Sequence, residues 1–212
     1  QRQMCIRDRP VAPSALASGT AVRDFESRKE CPVPRALARE ELRRIIDEFR
    51  QAARNAVDAG MDGVEIHGAN GYLLHQFLSP SSNHREDAYG GSPENRYRLV
   101  EEVVRAAAEE IGADRVALRL SPQNNIQGIA ETDAADVLAT YGGLLRATAD
   151  LGLAYVSFLN AEPTGELISE LSTHARANGR TRVILNSGFG QITQREEAEQ
   201  LVQHGDACLL YT

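Results

Sequence analysis

Residues 62–72 of this 212-residue chain, DGVEIHGANGY, decide its fold. The run 63–67 is short, contains the β-branched residues Val64 and Ile66, and leads into a glycine-rich loop, which predicts a buried strand. Upstream, apolar residues recur at helical spacing over residues 39–59, and Gly60 then ends the predicted helix. The chain therefore passes from a helix into a strand and then into a polar loop.

The same alternation of strands and helices continues downstream. Further strands are predicted at residues 116–120, 155–159 and 182–185, with a fifth opening at 207–210. Further helices are predicted at residues 93–111, 133–150, 164–177 and 193–204. Repeated strand–helix units predict an α/β fold with a parallel sheet covered by helices. No Gly-x-Gly-x-x-Gly follows a strand, which argues against a dinucleotide-binding fold, although the pattern alone leaves a flavodoxin-like open sheet possible.

The number of predicted strands is too small for a complete barrel. A (β/α)8 barrel needs about 250 residues, whereas this chain supplies four strands, a partial fifth, and an N-terminal stretch without a regular pattern. The long loop after the first strand lies where α/β barrels place their catalytic residues. The pattern therefore favours a partial TIM barrel over the open sheet, which stays possible at this point.

Composition excludes several classes of function. The formal net charge of -7 argues against a nucleic-acid binder, and no run of about 18 apolar residues is present to span a membrane. The cysteines Cys5, Cys31 and Cys208 fit neither a disulfide framework nor a zinc site, so we expect a cytoplasmic protein without a metal. Lys29 is the sole lysine and lies in a polar stretch, which argues against Schiff-base chemistry.

The candidate site lies at the end of the first predicted strand. His67, Asn70 and Tyr72 offer hydrogen-bond donors within six residues and could converge on one substrate oxygen and the carbon next to it. On spacing alone, the favoured interpretation is a polar loop whose side chains only satisfy buried backbone groups. His75 and His84, on the same segment, are interpreted as structural residues rather than as direct ligands.

A long motif resembles one enzyme family. The run DGVEIHGANGYLLHQFLSPSSNHREDAYGGSPENRYR, residues 62–98, is similar to the most characteristic segment of the old yellow enzyme family of flavin-dependent ene-reductases. Further matching segments are Pro13-Ser14-Ala15, Pro34-Arg35-Ala36-Leu37, RVALRLSP at residues 115–122 and Asn186-Ser187-Gly188-Phe189. The resemblance covers roughly residues 10–207.

The resemblance implies FMN as cofactor, NAD(P)H as reductant, and small electrophilic alkenes as substrates, extending to nitro compounds or nitrate esters. His67 and Asn70 match the pair that binds the substrate oxygen, and Tyr72 matches the tyrosine that protonates the α-carbon. Two preorganised donors would stabilise the enolate charge formed by hydride addition. Arg119 matches the arginine that contacts the flavin ring, where a permanent positive charge suits a reduced flavin.

The resemblance also assigns a phosphate site and the missing parts of the barrel. Ser187, Gly188 and Phe189 match part of the phosphate loop after the seventh strand, where backbone N–H groups bind the phosphate. The chain then corresponds to strands 4–7 with a truncated eighth, and the first strands are absent. Residues 1–9 and 208–212 depart from the family pattern and are interpreted as a non-native leader and tail, and the chain as an inactive fragment of its parent.

Two other functions remain open from the sequence. The parent could belong to the related dienoyl-CoA or trimethylamine-type reductases, which add an iron–sulfur cluster. Alternatively, the chain is a non-catalytic partial barrel that binds no flavin. The sequence leaves the oligomeric state and the physiological substrate undetermined.

Overall fold

The computed structural model describes residues 10–23, 27–187, 195–203, 205 and 209–210. Its strands are β1 (Val11–Ala12), β2 (Ala21–Arg23), β3 (Arg28–Glu30), β4 (Arg35–Ala36), β5 (Val64–Gly68), β6 (Val116–Leu120), β7 (Tyr155–Leu159), β8 (Arg182–Asn186) and β9 (Leu209–Leu210). Its α-helices are α1 (Arg39–Asp58), α2 (Leu73–Leu78), α3 (Pro93–Ile111), α4 (Ala134–Ala147), α5 (Glu166–Ala175) and α6 (Arg195–Gln203).

The central element is a parallel sheet with the strand order β5–β6–β7–β8–β9. Ile66, Leu118, Val156 and Val183 lie side by side in register, and each is at most 4% exposed. Helices α1, α3, α4 and α5 pack against one another in that order. This row of helices covers the buried face of the sheet, as the alternation of strands and helices predicts.

The other face of the sheet is more open and polar. Glu65 on β5 and Arg182 on β8 are exposed, and His67 and Arg119 are half-buried. Successive side chains of a strand point to opposite faces, so these residues share the face away from the helices. Helices on a single face are typical of a barrel wall rather than of a doubly wound sheet, which carries helices on both faces.

The helix starts follow from their capping residues. The Asp133 side chain accepts hydrogen bonds from Ala135 N and Asp136 N, at 2.9 and 3.3 Å, and so caps α4. The Ser92 side chain accepts from Asn95 N and Pro93 occupies the first turn of α3, where proline is favoured. Within the described residues, no helix is long and apolar enough to cross a membrane.

Several predicted boundaries differ from the structure. The helix predicted over 133–150 ends at Ala147 because Thr148 Oγ1 donates to Leu144 O and the chain then forms a 3-10 turn at Ala149–Leu151. The helix predicted over 164–177 begins only after Gly165, which has an extended conformation, and it ends at Ala175. The helix predicted over 193–204 is described only from Arg195 to Gln203, and the fifth strand only at Leu209–Leu210.

Two regions without a predicted pattern contain regular structure. The N-terminal stretch forms short strands, β1 parallel to β4 and β2 antiparallel to β3. The loop after β5 contains the six-residue helix α2. Strands of two or three residues and a helix of six residues are too short to produce a detectable hydrophobic period.

Candidate active site

The candidate site lies where the parallel strands end. The loops that follow β6, β7 and β8 meet at this edge, because Asn160 Nδ2 donates to Pro122 O at 2.9 Å and Asn160 N donates to Asn186 O at 3.0 Å. The carboxyl ends of parallel strands share one edge of the sheet, so the loop after β5 lies at the same edge. The structure thus collects loop residues that are far apart in sequence.

Arg119 lies on the open face of β6, in register with His67 on β5 and Ser157 on β7. Its Nη1 is 3.8 Å from Glu65 Oε1, too far for a hydrogen bond but close enough for attraction between the charges. Its Nε is buried and has no hydrogen-bond partner among the described residues. A buried guanidinium N–H without a partner is costly, so this atom favours an acceptor on the open face.

The loop at residues 69–72 has a backbone shape that depends on glycine. Asn70 and Gly71 both have positive φ angles, 57° and 74°. A Cβ on Gly71 would lie 2.7 Å from Gln127 Cβ and 3.0 Å from Ile126 O, closer than atoms normally approach. Asn is among the few other residues that tolerate this conformation, so the Asn-Gly pair fits the turn.

The amide of Asn70 is oriented by the loop after β6. Asn70 N donates to Ser121 Oγ at 2.8 Å, and Asn124 Nδ2 donates to Asn70 Oδ1 at 3.1 Å. Asn70 is buried, with only 7% of the residue exposed. With Oδ1 already occupied, the Nδ2 group is the part of this side chain that remains to donate to a ligand.

The rings of His67 and Tyr72 are neighbours. Their centroids are 5.2 Å apart, and the ring planes are inclined by 50°. Tyr72 precedes the first residue of α2, where its extended backbone ends the loop. A histidine and a phenol therefore lie side by side at the same edge of the sheet as Asn70.

The His67 imidazole is held in its neutral form. Burial lowers its pKa below the ordinary value of 6.5, and the positive charge of Arg119 lowers it further. A neutral imidazole has one N–H donor, which it can offer to an oxygen without carrying a charge of its own.

Most of the predicted site residues lie within the described part of the chain. His67, Asn70, Tyr72 and Arg119 lie at or beside the carboxyl edge of the sheet, on β5, β6 and the loop after β5. Ser187 follows β8 at the same edge and is 7% exposed. Gly188 and Phe189, the other residues of the predicted phosphate loop, lie outside the described residues.

Sequence reasoning missed the residues that support this loop. Ser121 and Asn124 bind Asn70 directly. His75, interpreted from the sequence as a structural residue, is fully buried and binds Gly71 N through Nδ1 at 3.0 Å. The available signal for His75 was its position among the apolar residues Leu73, Leu74, Phe77 and Leu78 of α2. Among the described residues, no cluster of His, Cys, Asp and Glu is arranged to hold a metal ion.

Known proteins are similar to this chain over nearly its whole length. The profile of the NADH:flavin oxidoreductase / NADH oxidase family matches residues 2–211. The chain belongs to this family. It is 37% identical over 219 residues to putative 12-oxophytodienoate reductase 10 of Oryza sativa subsp. japonica, covering 99% of the chain and 65% of that protein.

Solved structures of the family agree with the fold. The chain superposes on the old yellow enzyme homologue NCR of Zymomonas mobilis with a TM-score of 0.85 and 33% identity, covering 97% of the chain and 57% of that structure. It superposes on morphinone reductase in complex with tetrahydroNAD with a TM-score of 0.79 and 34% identity, covering 96% of the chain and 55% of that structure.

These comparisons confirm the resemblance to the old yellow enzyme family and the partial TIM barrel. The flavodoxin-like alternative is thereby excluded. The chain spans between 55% and 65% of the length of these three proteins.

Proposed function

We propose that the protein containing this chain is an FMN-dependent ene-reductase. It uses NAD(P)H to reduce the activated C=C bond of α,β-unsaturated carbonyl compounds and of nitro compounds. The observation that carries this proposal is the position of His67, Asn70 and Tyr72 at one edge of the sheet. Arg119, in register with His67, adds a buried Nε that has no hydrogen-bond partner in the described part of the chain. Membership of the flavin oxidoreductase family supports the same cofactor.

The open face of the sheet suits a flavin ring. A bound FMN would supply the chemistry of hydride transfer between the nicotinamide and the substrate. Arg119 would hold the ring, because its buried Nε needs an acceptor and its permanent charge compensates negative charge there. For the phosphate we propose Ser187 with Gly188 and Phe189, supported by the position of Ser187 at the carboxyl end of β8.

His67 and Asn70 would bind the substrate oxygen. The neutral imidazole offers one N–H, and the Asn70 amide offers its Nδ2 while Asn124 holds Oδ1. Negative charge develops on the carbonyl oxygen as hydride reaches the β-carbon, so two fixed donors stabilise the transition state more than the ground state.

Tyr72 would supply the proton. Its hydroxyl donates to no described residue, and its ring lies 5.2 Å from the His67 ring, next to the proposed oxygen site. In an enone the α-carbon is bonded to the carbonyl carbon. A phenol placed beside the group that binds the oxygen can therefore transfer its proton to the α-carbon.

We further propose that residues 10–207 are one part of a complete barrel, which β9 (Leu209–Leu210) continues as a parallel strand beside β8, that residues 1–9 lie outside it, and that the protein acts in the cytoplasm. Among the described strands, β5 and β9 are the two edges of the sheet, and exposed strand edges favour aggregation. We therefore expect the 212-residue chain made alone to aggregate and to retain little FMN. Stoichiometric FMN on this purified chain would contradict this proposal.

Anaerobic spectroscopy on the full-length protein tests the proposed function. We expect a yellow protein with an absorption band at about 450 nm, typical of flavins. NADH or NADPH should bleach this band, and 2-cyclohexenone should then restore it. A colourless protein, or a reduced flavin that the enone does not reoxidise, would refute the proposal.

A further inference from the structure

The loop that carries Asn70 and Tyr72 is attached to a buried network of polar side chains. His75, Ser121, Glu131 and Tyr141 are each at most 3% exposed. His75 lies on α2, Ser121 and Glu131 in the connection after β6, and Tyr141 on α4. Burying four polar side chains in one place is costly unless every hydrogen bond is satisfied, so the network demands a structural or functional reason.

The hydrogen bonds of this network have a fixed direction. Gly71 N is a backbone donor 3.0 Å from His75 Nδ1, so Nδ1 is an acceptor and carries no proton. The proton of the neutral imidazole is then on Nε2, which lies 3.3 Å from Glu131 Oε1. The backbone amide of Gly71 and the carboxylate of Glu131 thus select the same tautomer of His75.

Glu131 acts as the fixed end of this chain of bonds. Besides His75, its carboxylate accepts from Tyr141 Oη at 2.9 Å and from Gln123 N at 2.8 Å. An ionised carboxylate is an acceptor only, and all three neighbours can donate to it. The carboxylate therefore holds His75 in one orientation relative to β6 and α4.

The other end of the chain is the backbone of the site loop. Ser121 Oγ accepts from Asn70 N at 2.8 Å and lies 3.4 Å from His75 Nδ1. Asn70 and Gly71 are consecutive residues with positive φ angles, and this backbone conformation sets the position of the next residue, Tyr72. The network is therefore bonded to the backbone of the loop that carries Asn70 and Tyr72, two of the proposed substrate contacts.

We propose that His75 is a positioning residue of the active site, held in its Nε2–H tautomer by Glu131, and that its Nδ1 fixes where Asn70 and Tyr72 lie. His75 does not touch the substrate in this arrangement. The inference rests on the proposed function for its catalytic consequence, whereas its structural part, the anchoring of Gly71 N, does not depend on a cofactor.

Two variants of similar shape distinguish the role of the hydrogen-bond acceptor at position 75 from the role of the imidazole ring. His75→Asn retains an acceptor, Oδ1, near the position of Nδ1, whereas His75→Leu has the same branching and no acceptor. Both lose the contact with Glu131, so any difference between them reports the bond to Gly71 N. Leu171→Ala, a fully buried position on α5, is the control for a general loss of stability.

Hydrogen exchange at single amides of the full-length protein measures whether His75 anchors Gly71 N. We expect Gly71 N to exchange about fivefold to tenfold faster in His75→Leu than in His75→Asn, as for the loss of one hydrogen bond, and Leu171→Ala to leave it unchanged. Equal exchange in the Leu and Asn variants would overturn the proposal.

Ser121→Ala provides a second test if His75→Leu fails to fold. It removes the acceptor for Asn70 N and leaves the bond from Gly71 N to His75. Faster exchange at Asn70 with unchanged exchange at Gly71 is the expected result. Loss of protection at both amides would show that Ser121, rather than His75, anchors the loop.

The flavin-loaded protein reads out the catalytic part. In His75→Leu we expect reoxidation by 2-cyclohexenone to slow by about 10²-fold, the effect of a misplaced reacting group, and reduction by the nicotinamide to be unchanged. His75→Asn should stay within about tenfold of the wild type in both steps, since it retains the acceptor that places the loop. Equal slowing of both steps in the two variants would overturn the positioning role. A wild-type protein without flavin would refute the proposed function alone, because the exchange experiment needs no cofactor.

Discussion

Replacing Tyr72 by phenylalanine separates the two halves of the proposed reaction. The ring, which lies 5.2 Å from the ring of His67, is retained, and only the hydroxyl is removed. Because this hydroxyl donates to no described residue, we expect the free energy of unfolding to change by less than about 0.5 kcal/mol. General acid assistance is worth about 10²–10⁴-fold. The barrier to alkene reduction should therefore rise by about 3–5 kcal/mol.

Stopped-flow absorbance measures the two halves separately. Reduction of the flavin by NAD(P)H requires no proton at the α-carbon, so we expect Tyr72→Phe to leave it unchanged. Reoxidation by 2-cyclohexenone should slow by the stated factor. Tyr97→Phe is a matched control, since Tyr97 lies on α3, on the helix-covered side of the sheet, and should affect neither rate. Equal slowing of both halves in Tyr72→Phe, or no slowing of either, would refute Tyr72 as the acid.

Three further predictions concern His67 and Gly71. His67→Ala should weaken phenol binding by about 1–3 kcal/mol without loss of FMN, because a buried donor is removed; unchanged affinity in a spectral titration would exclude His67 from the oxygen site. An NMR titration should give His67 a pKa below 6.5, and Arg119→Gln should raise that pKa only partly, since burial is the larger cause. As the pH falls below 6.5, His67 gains a proton in the unfolded chain before it does so in the folded protein. Protonation of His67 therefore lowers the free energy of unfolding in acid. A measured pKa at or above 6.5 would contradict this prediction. Gly71→Ala should lower the free energy of unfolding by more than the roughly 1–2 kcal/mol expected for a positive φ, because its Cβ would lie 2.7 Å from Gln127 Cβ. The control in denaturant unfolding is Gly179→Ala, at a residue with a φ of 70° and no described atom within 4 Å of the added Cβ. Equal losses of stability in the two variants would contradict the close contact.

The sequence predicted the central strands because their residues carry a local signal. Residues 116–120 and 155–159 form β6 and β7 with the predicted boundaries. Each is a run of five mainly apolar residues, and both runs are buried along most of their length. Short β-branched and aromatic runs that begin after a helix and end at a polar loop are recognisable without any knowledge of their neighbours.

The candidate site was only partly predictable. The family motif indicated His67, Asn70 and Tyr72, but the support for their loop depends on contacts between distant residues. Glu131 lies 56 positions after His75, and Ser121 lies 51 positions after Asn70. Such pairs become visible only when the parallel strands bring the loops to one edge, since no local pattern encodes the distance between them. The roles of the predicted residues stay predictions until the variants are measured.

Isotope labelling of the product tests the central claim most directly, because it shows where the hydride and the proton are delivered. With nicotinamide carrying deuterium in the transferred position, in ordinary water, we predict a saturated ketone from 2-cyclohexenone with deuterium at the β-carbon. With unlabelled nicotinamide in heavy water, deuterium should appear at the α-carbon. An allylic alcohol, formed by hydride addition to the carbonyl carbon, or deuterium at the reversed positions would contradict an ene-reductase built on His67, Asn70 and Tyr72.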